Sequence, residues 1–244
     1  MKPQALPGVG GATERDPLDF NRTPAWVVQL LVPHLGQPKA VLDLGCGDGA
    51  IGRALRHAWP NAAIYGIEID RHRADASDAA RTNGAIGPRV YDEVWLADAI
   101  AVPGATYAAT PWRLGADLII ANPPFGLPAL QFLERALGRL VPHGQVAFLL
   151  PTHWDHDPDV ESDFARQRCL DGLRLPDGRE GYAKLEIVGG GPYPARPSFK
   201  KGGTASDRYA WYMFGEKWAG QPSRRIHAIP PAVESGQVAI GGIE

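Results

Sequence analysis

Five short apolar runs, spaced by stretches of helical periodicity, constrain this chain more than any other feature of its sequence. Ala40–Leu44 (AVLDL), Ala63–Ile67 (AIYGI), Val94–Ala97, Asp117–Ala121 (DLIIA) and Gln145–Leu150 (QVAFLL) read as strands. They are β-branched or nearly continuous in apolar character, as strands covered on both faces are. Helices fill the gaps at Ile51–Trp59, Arg71–Asn83 and Leu127–Leu140, the last with Leu130, Leu133, Leu137 and Leu140 along one face. A further helix, Ala25–Leu35, follows Thr23-Pro24, with Thr23 expected as its N-cap and Pro24 in its first turn. Such alternation predicts an α/β fold built on a doubly wound, mostly parallel sheet. Two more strands, Lys184–Val188 and Tyr209–Gly215, have no helical pattern between them. They are expected as an antiparallel last pair, which makes a seven-stranded sheet.

Of the 244 residues, 44% are hydrophobic, enough for one large domain. The 29 glycines and 23 prolines imply extensive loops. Residues 1–17 and 219–244 lack an apolar period and read as tails around a domain spanning 18–218. A net charge of −2 excludes a polycationic coat protein, though not a local basic patch. No apolar run approaches the roughly 18–20 residues that cross a bilayer, and the first residues lack the apolar centre of a secretion signal. Cys46 and Cys169 are too few for a disulfide framework or a four-thiolate zinc site. The expectation is a soluble cytoplasmic protein of a prokaryotic or phage-infected cell, without membrane or metal.

The first strand runs into Asp43-Leu44-Gly45-Cys46-Gly47-Asp48-Gly49. Glycines there let the backbone turn tightly and approach a ligand where a side chain would collide. The next strand ends in Glu68-Ile69-Asp70, a spacing suited to a carboxylate that accepts ribose hydroxyls, and the third ends at Asp98. Ligands of such sheets sit beyond the carboxyl ends of the strands, so these acids converge. Gly45–Ala50 also satisfies the dinucleotide pattern, which leaves a nicotinamide cofactor open. Asp43, two residues before the first glycine, favours instead a ligand with a cationic amino group.

The fourth strand ends at Asn122-Pro123-Pro124-Phe125. Two prolines remove two backbone donors and stiffen the turn, leaving the carbonyls of Asn122 and Pro123 to accept. An Asn oxygen plus a carbonyl can take both hydrogens of a planar amino group, and Phe125 offers a flat face on which a base can stack. The plainer alternative is a rigid turn with a core phenylalanine.

In its glycine loop the chain resembles the class I S-adenosylmethionine-dependent methyltransferases, whose loop reads D-x-G-x-G-x-G. The resemblance implies a Rossmann-like fold and S-adenosylmethionine as cofactor. Asp43 and the backbone of Gly45, Cys46, Gly47 and Gly49 would cradle its methionine part. Glu68 would hold the ribose, Asp98 the adenine amino group, and Ile69 and Ala99 would flank the adenine ring. Asn-Pro-Pro-Phe is similar to the catalytic motif of amino-group methyltransferases: N6-adenine DNA enzymes, some rRNA adenine or guanine enzymes, and glutamine methylases of release factors. Phe20-Asn21-Arg22-Thr23-Pro24 looks like the F-x-x-T-P segment that covers the cofactor in N6-adenine enzymes, which adds Thr23 and Pro24 to the cofactor contacts, and Asn122 is expected among those contacts as well. Arg208–Phe214 (RYAWYMF) resembles a final strand of phage- and prophage-type adenine methylases.

These resemblances imply direct methyl transfer to an exocyclic amino nitrogen, adenine N6 of DNA first, with Asn122, Pro123, Pro124 and Phe125 as the catalytic set. RNA bases and protein glutamine are the alternatives, and a catalytically silent cofactor- or nucleic-acid-binding protein is the alternative of another class. Cys46 lies in the glycine loop and not in a Pro-Cys dipeptide after the fourth strand, which disfavours cytosine-carbon methylation. Two long segments, 151–183 and 189–208, leave the active edge as candidates for substrate recognition. The second carries Arg196, Phe199, Lys200 and Lys201, cations and a ring of the kind that pair with phosphates and stack on bases. In the first, Trp154 is a candidate to line the target pocket. His153 to Asp157 lack a recognisable metal-ligand spacing. With so little chain after Leu150, a short or relaxed recognition site, a single-stranded substrate or dimer-assisted recognition is expected.

Overall fold

The computed structural model describes residues 22–83, 86–101, 115–124, 127–156, 160–189 and 209–228. Its centre is an eight-stranded sheet. Five strands are parallel: β1 (Ala40–Leu44), β2 (Ala63–Glu68), β5 (Glu93–Leu96), β6 (Ala116–Ala121) and β7 (Leu140–Pro151). β8 (Tyr182–Gly189) and β9 (Tyr209–Phe214) follow, with β10 (Arg224–Ala228) at the edge, in the order β10-β8-β9-β7-β6-β1-β2-β5. β9 runs antiparallel to both β7 and β8, as the missing helical pattern before it predicts.

Alternate residues of the central strands face two separate cores, which is why these runs are continuously apolar. Val41, Leu118, Ile120, Ala147, Leu149 and Trp211 pack on one side under α1 (Ala25–Leu35) and α2 (Ala50–Ala58). Leu42, Leu44, Ile119, Phe148, Leu150 and Tyr212 pack on the other against α4 (Leu127–Leu137) and α5 (Val160–Leu173). Trp211 Nε1 donates to Val27 O at 3.1 Å, so α1 is tied to β9 as well as packed on it. α3 (Arg71–Ala79) starts at Asp70, whose side chain caps Arg73 N at 2.9 Å.

The sequence expectations need four corrections. The sheet has eight strands, because residues 224–228, expected within a tail, pair in parallel with β8. Ile226 is buried between exposed Arg225 and His227, so the strand carries little apolar signal. α3 stops at Ala79, and Arg81–Asn83 (β3) pairs antiparallel with Ile86–Arg89 (β4). Thr82 and Asn83 are poor helix formers, and Ala80 N already turns back to Ser77 O. α4 stops at Leu137, with Gly138 just after it and Leu140 opening β7. Lastly, the segment 151–183, to which the sequence assigned no secondary structure, contains the helix α5.

Candidate active site

The site begins where β1 gives way to α2. Gly45, Gly47 and Gly49 take φ values of 70°, 57° and 85°, the left-handed region that disfavours side chains. The neighbouring elements hold this loop from several directions. Gly45 N and Cys46 N both donate to Ile67 O, at 2.8 and 2.9 Å, and Ser77 Oγ on α3 donates to Gly47 O at 2.7 Å. Glu68, 4% exposed, accepts from Gly47 N at 2.8 Å and from Asp70 N at 3.0 Å. A carboxylate has about four acceptor positions, so these two bonds leave Glu68 capacity for a ligand hydroxyl.

Asp43 lies beneath the loop rather than on its surface. It is fully buried, Oδ2 accepts from Tyr91 OH at 2.7 Å, and among the described residues Oδ1 has no hydrogen-bond partner. Burial pushes its pKa up to about 7, helped by the nearby Glu68 and Asp48 charges and opposed by the Tyr91 hydrogen bond. The Tyr91 oxygen also accepts from Gly52 N at 3.2 Å. A Cβ at Gly52 would stand 2.3 Å from Tyr91 Cζ, so this contact requires glycine. Tyr91 and Gly52 escaped the sequence reading, which has no local signal for a partner 48 residues from Asp43. Cys46 is buried, with its thiol on Ser77 Oγ at 3.7 Å. Burial pushes its pKa well up, so it stays a protonated thiol.

A cleft opens above the loop across the ends of β6, β1 and β2. Thr23, Gly45, Cys46, Gly47, Glu68, Ile69, Asn122, Pro123 and Pro124 all line it. Structure adds Arg22, Asp48, Ala50, Ile51, Arg73 and Phe132, which the sequence did not single out. Arg22 Nε reaches Asp48 Oδ2 at 2.9 Å, linking the segment before α1 to the glycine loop. Pro24, Asp43, Gly49, Asp98 and Ala99 do not line this cleft. Asp98 accepts from its own Ile100 N at 2.8 Å, and Ala99 is buried in the second core. Both follow β5, which is separated from β1 by β2.

Thr23 departs from its expected place. The N-cap of α1 is Pro24, at φ −62° and ψ 140°, without a side-chain cap. Thr23 is instead 4% exposed, and its Oγ1 accepts from Asn122 Nδ2 at 3.0 Å. Phe125 lies outside the described residues, as do Arg196, Phe199, Lys200 and Lys201.

Trp154 is 2% exposed and packs edge-on to Tyr212, with centroids 5.3 Å apart, so its ring is part of the core. Beside it, Asp155 accepts from Tyr182 OH at 2.9 Å and Tyr212 OH at 3.1 Å and pairs with Lys184 Nζ at 2.9 Å. Burial raises the Asp155 pKa, but the Lys184 hydrogen bond and charge outweigh it and hold the carboxyl below its ordinary range. The chain after β7 is therefore folded back and fastened to β8 and β9. Among the described residues no three His, Cys, Asp or Glu side chains converge to hold a metal ion.

The cleft has the chemistry for a nucleoside with a cationic amino-acid arm. It offers a backbone cradle free of side chains, a buried carboxylate with spare acceptor capacity, the half-exposed apolar Ile69, and an incompletely bonded carboxylate beneath the loop. These features fit S-adenosylmethionine. The model of the methyltransferase small domain family matches residues 26–171. Over 172 residues the chain is 30% identical to ribosomal RNA small subunit methyltransferase C of Chromohalobacter salexigens, covering 63% of this chain and 44% of that protein. It is 29% identical over 133 residues to the tRNA1(Val) (adenine(37)-N6)-methyltransferase of Porphyromonas gingivalis, covering 47% and 50%. The chain thus spans half or less of the length of these curated relatives. The fold is also that of the O-methyltransferase TomG of Streptomyces achromogenes, solved in complex with S-adenosylmethionine. That likeness has a TM-score of 0.53 at 16% identity over 78% of each chain and extends to the fold alone.

Proposed function

Because the chain belongs to the methyltransferase small domain family, we propose that it methylates an exocyclic amino nitrogen of a base in RNA, adenine N6 first. The observation that carries this reading is the rigid Asn122-Pro123-Pro124 turn, which walls the same cleft as the glycine loop. Names of the relatives favour RNA over the DNA expected from the sequence, a rRNA enzyme and a tRNA adenine-N6 enzyme standing among them. DNA rests on the resemblance of 20–24, 122–125 and 208–214 to N6-adenine enzymes, and no relative named above acts on it by its name.

S-adenosylmethionine, when bound, would supply a methyl group on a positively charged sulfur; the amino nitrogen would bond the methyl carbon, the carbon–sulfur electrons would stay on sulfur, and the nitrogen would give up one proton to water. The protein's part is orientation. Asn122 Oδ1 and the Pro123 carbonyl accept the two amino hydrogens, holding the nitrogen lone pair towards the methyl group. Glu68 holds ribose hydroxyls, and Gly45 to Gly47 let the ligand approach the backbone. Asp43, buried beneath, lowers the local potential and favours a cationic amino group above the loop. No side chain has to act as a nucleophile, and the high thiol pKa of Cys46 accords with that.

Labelled S-adenosylmethionine incubated with unmethylated RNA, DNA and protein pools tests the reading, with nucleoside mass spectrometry of the product. N6-methyladenine in RNA is the expected result. Label in DNA or on glutamine would overturn the RNA assignment but keep the transfer chemistry. Asn122→Ala should lower turnover about a hundred- to thousandfold. Its affinity for S-adenosylhomocysteine should stay within about threefold of wild type, measured by calorimetry.

A further inference from the structure

Thr23 and Asn122 are 99 residues apart, yet they meet through one hydrogen bond, Asn122 Nδ2 to Thr23 Oγ1 at 3.0 Å. Each is the residue before a proline, Pro24 in one case and Pro123 in the other. The proline ring disfavours helical backbone for the residue that precedes it, so both residues stand on stiff, extended supports. The supports are themselves anchored. Pro24 O accepts from Val27 N at 3.0 Å to open α1, whose Val27, Val28 and Leu31 are fully buried. Pro123 is buried at the end of β6. With both backbones held, the remaining freedom on the Asn122 side is the rotation of its amide.

That rotation decides chemistry. An exocyclic amino group that is about to react offers only hydrogens, so it needs the amide oxygen. An amide turned over would present its own NH2, two donors facing two donors. A planar amide whose nitrogen is bonded to Thr23 carries its oxygen on the opposite side.

Building on the proposed amino-nitrogen chemistry, we infer that Thr23 is a positioning residue whose hydroxyl sets the Asn122 amide with its oxygen towards the acceptor amino group. The hydroxyl takes the amide hydrogen on one lone pair, from a site only 4% exposed, where water competes poorly. The role differs from a helix cap, because α1 has no side-chain cap bond. It also differs from a cofactor contact, because the Thr23 hydroxyl acts through Asn122. The short segment before α1 would thereby align the catalytic amide as well as border the cofactor cleft.

The test is a set of variants assayed on whichever acceptor the labelled pools identify. Thr23→Val keeps the shape and removes the acceptor, and Thr23→Ser keeps the hydroxyl. Thr23→Val should lower kcat about ten- to hundredfold, with the KM for S-adenosylmethionine and the calorimetric Kd of S-adenosylhomocysteine within about twofold of wild type. Thr23→Ser should recover most of the rate. In an Asn122→Ala background, followed by single-turnover label transfer, Thr23→Val should cost nothing further, because the group it serves is gone.

Any of these results would overturn the inference: a wild-type kcat in Thr23→Val, a loss of S-adenosylhomocysteine affinity that parallels the loss of rate, or an equal fall in Thr23→Ser. An additive cost in the double variant would do the same. The nucleic-acid reading fails separately, if the acceptor proves to be a protein while the Thr23 pattern holds. If wild type binds S-adenosylhomocysteine and labels no acceptor, both readings fall.

Discussion

Two aspartates near the carboxyl edge of the sheet, one fully buried and one half-buried, sit in opposite electrostatic surroundings. Asp43, beneath the glycine loop, has Tyr91 as its hydrogen-bond donor and one oxygen without a partner among the described residues. Its pKa is pushed up to about 7. Asp155, on the segment folded back after β7, collects Lys184, Tyr182, Tyr212 and His156 and is held below its ordinary range. A carboxylate surrounded by donors is a fastening that holds two pieces of chain together. One left short of donors beneath a loop without side chains is unfinished, and its remaining demand is for a positive group. Folds leave such deficits where a ligand will complete them.

The sharpest way to break the comparison is to remove the fastening. Asp155→Ala leaves the Lys184 ammonium and the Tyr182 hydroxyl facing a hole, while the Tyr212 hydroxyl keeps the Pro151 and Thr152 carbonyls. It should cost about 3–4 kcal/mol in denaturant unfolding, with S-adenosylhomocysteine affinity within about twofold at a temperature where the variant is folded. A cost below about 1 kcal/mol would mean Asp155 is not what fastens the segment.

Asp43→Asn should do the reverse. Asn still accepts from Tyr91 but does not titrate. The folded pKa lies above the unfolded value of 3.8, so the folded state holds more protons between about pH 4 and pH 7. Wild-type stability should therefore be fullest below about pH 4, fall as pH rises towards 7, and level off above it. The variant should lack that slope and gain about 3–4 kcal/mol relative to wild type at pH 8 compared with pH 4. Parallel profiles would show that Asp43 ionises in the fold as freely as in water.

Gly52→Ala sharpens the same contrast with a smaller effect. Its Cβ drives the Tyr91 ring off Asp43, at about 1–2 kcal/mol after the helix-propensity gain of alanine. Affinity for S-adenosylhomocysteine should fall with it, since the loop rests on that contact. Unchanged binding would separate the Asp43–Tyr91 pair from the ligand site.

Much of this was readable along the chain. β1, β2, β6 and β7 announce themselves because both faces are covered along most of their length, so most positions are selected for apolar character. The three glycines and the Asn-Pro-Pro turn are equally plain, since positive φ and a missing N–H are local demands met by particular residue types. Edge strand β10 is not plain. It packs on one side only, and Arg224 and Arg225 belong to solvent. Asp43 is legible as the acid just before the glycine loop, but which side of the loop it occupies depends on Tyr91, a residue with no mark of its own.

By itself, then, the sequence determined the parallel α/β architecture, the place of the cleft at the ends of β1, β2 and β6, and most of the residues that wall it. These follow from short-range rules: periodicity, backbone permissiveness and the position of a strand end. Only the tertiary structure decided that Thr23 bonds to Asn122 instead of capping α1, that Trp154 packs inward, and that Asp43 and Asp155 carry opposite pKa shifts. Each of those outcomes depends on a partner distant in sequence. A buried polar group takes its character from whichever donors packing brings within about 3 Å, and sequence spacing does not encode that set.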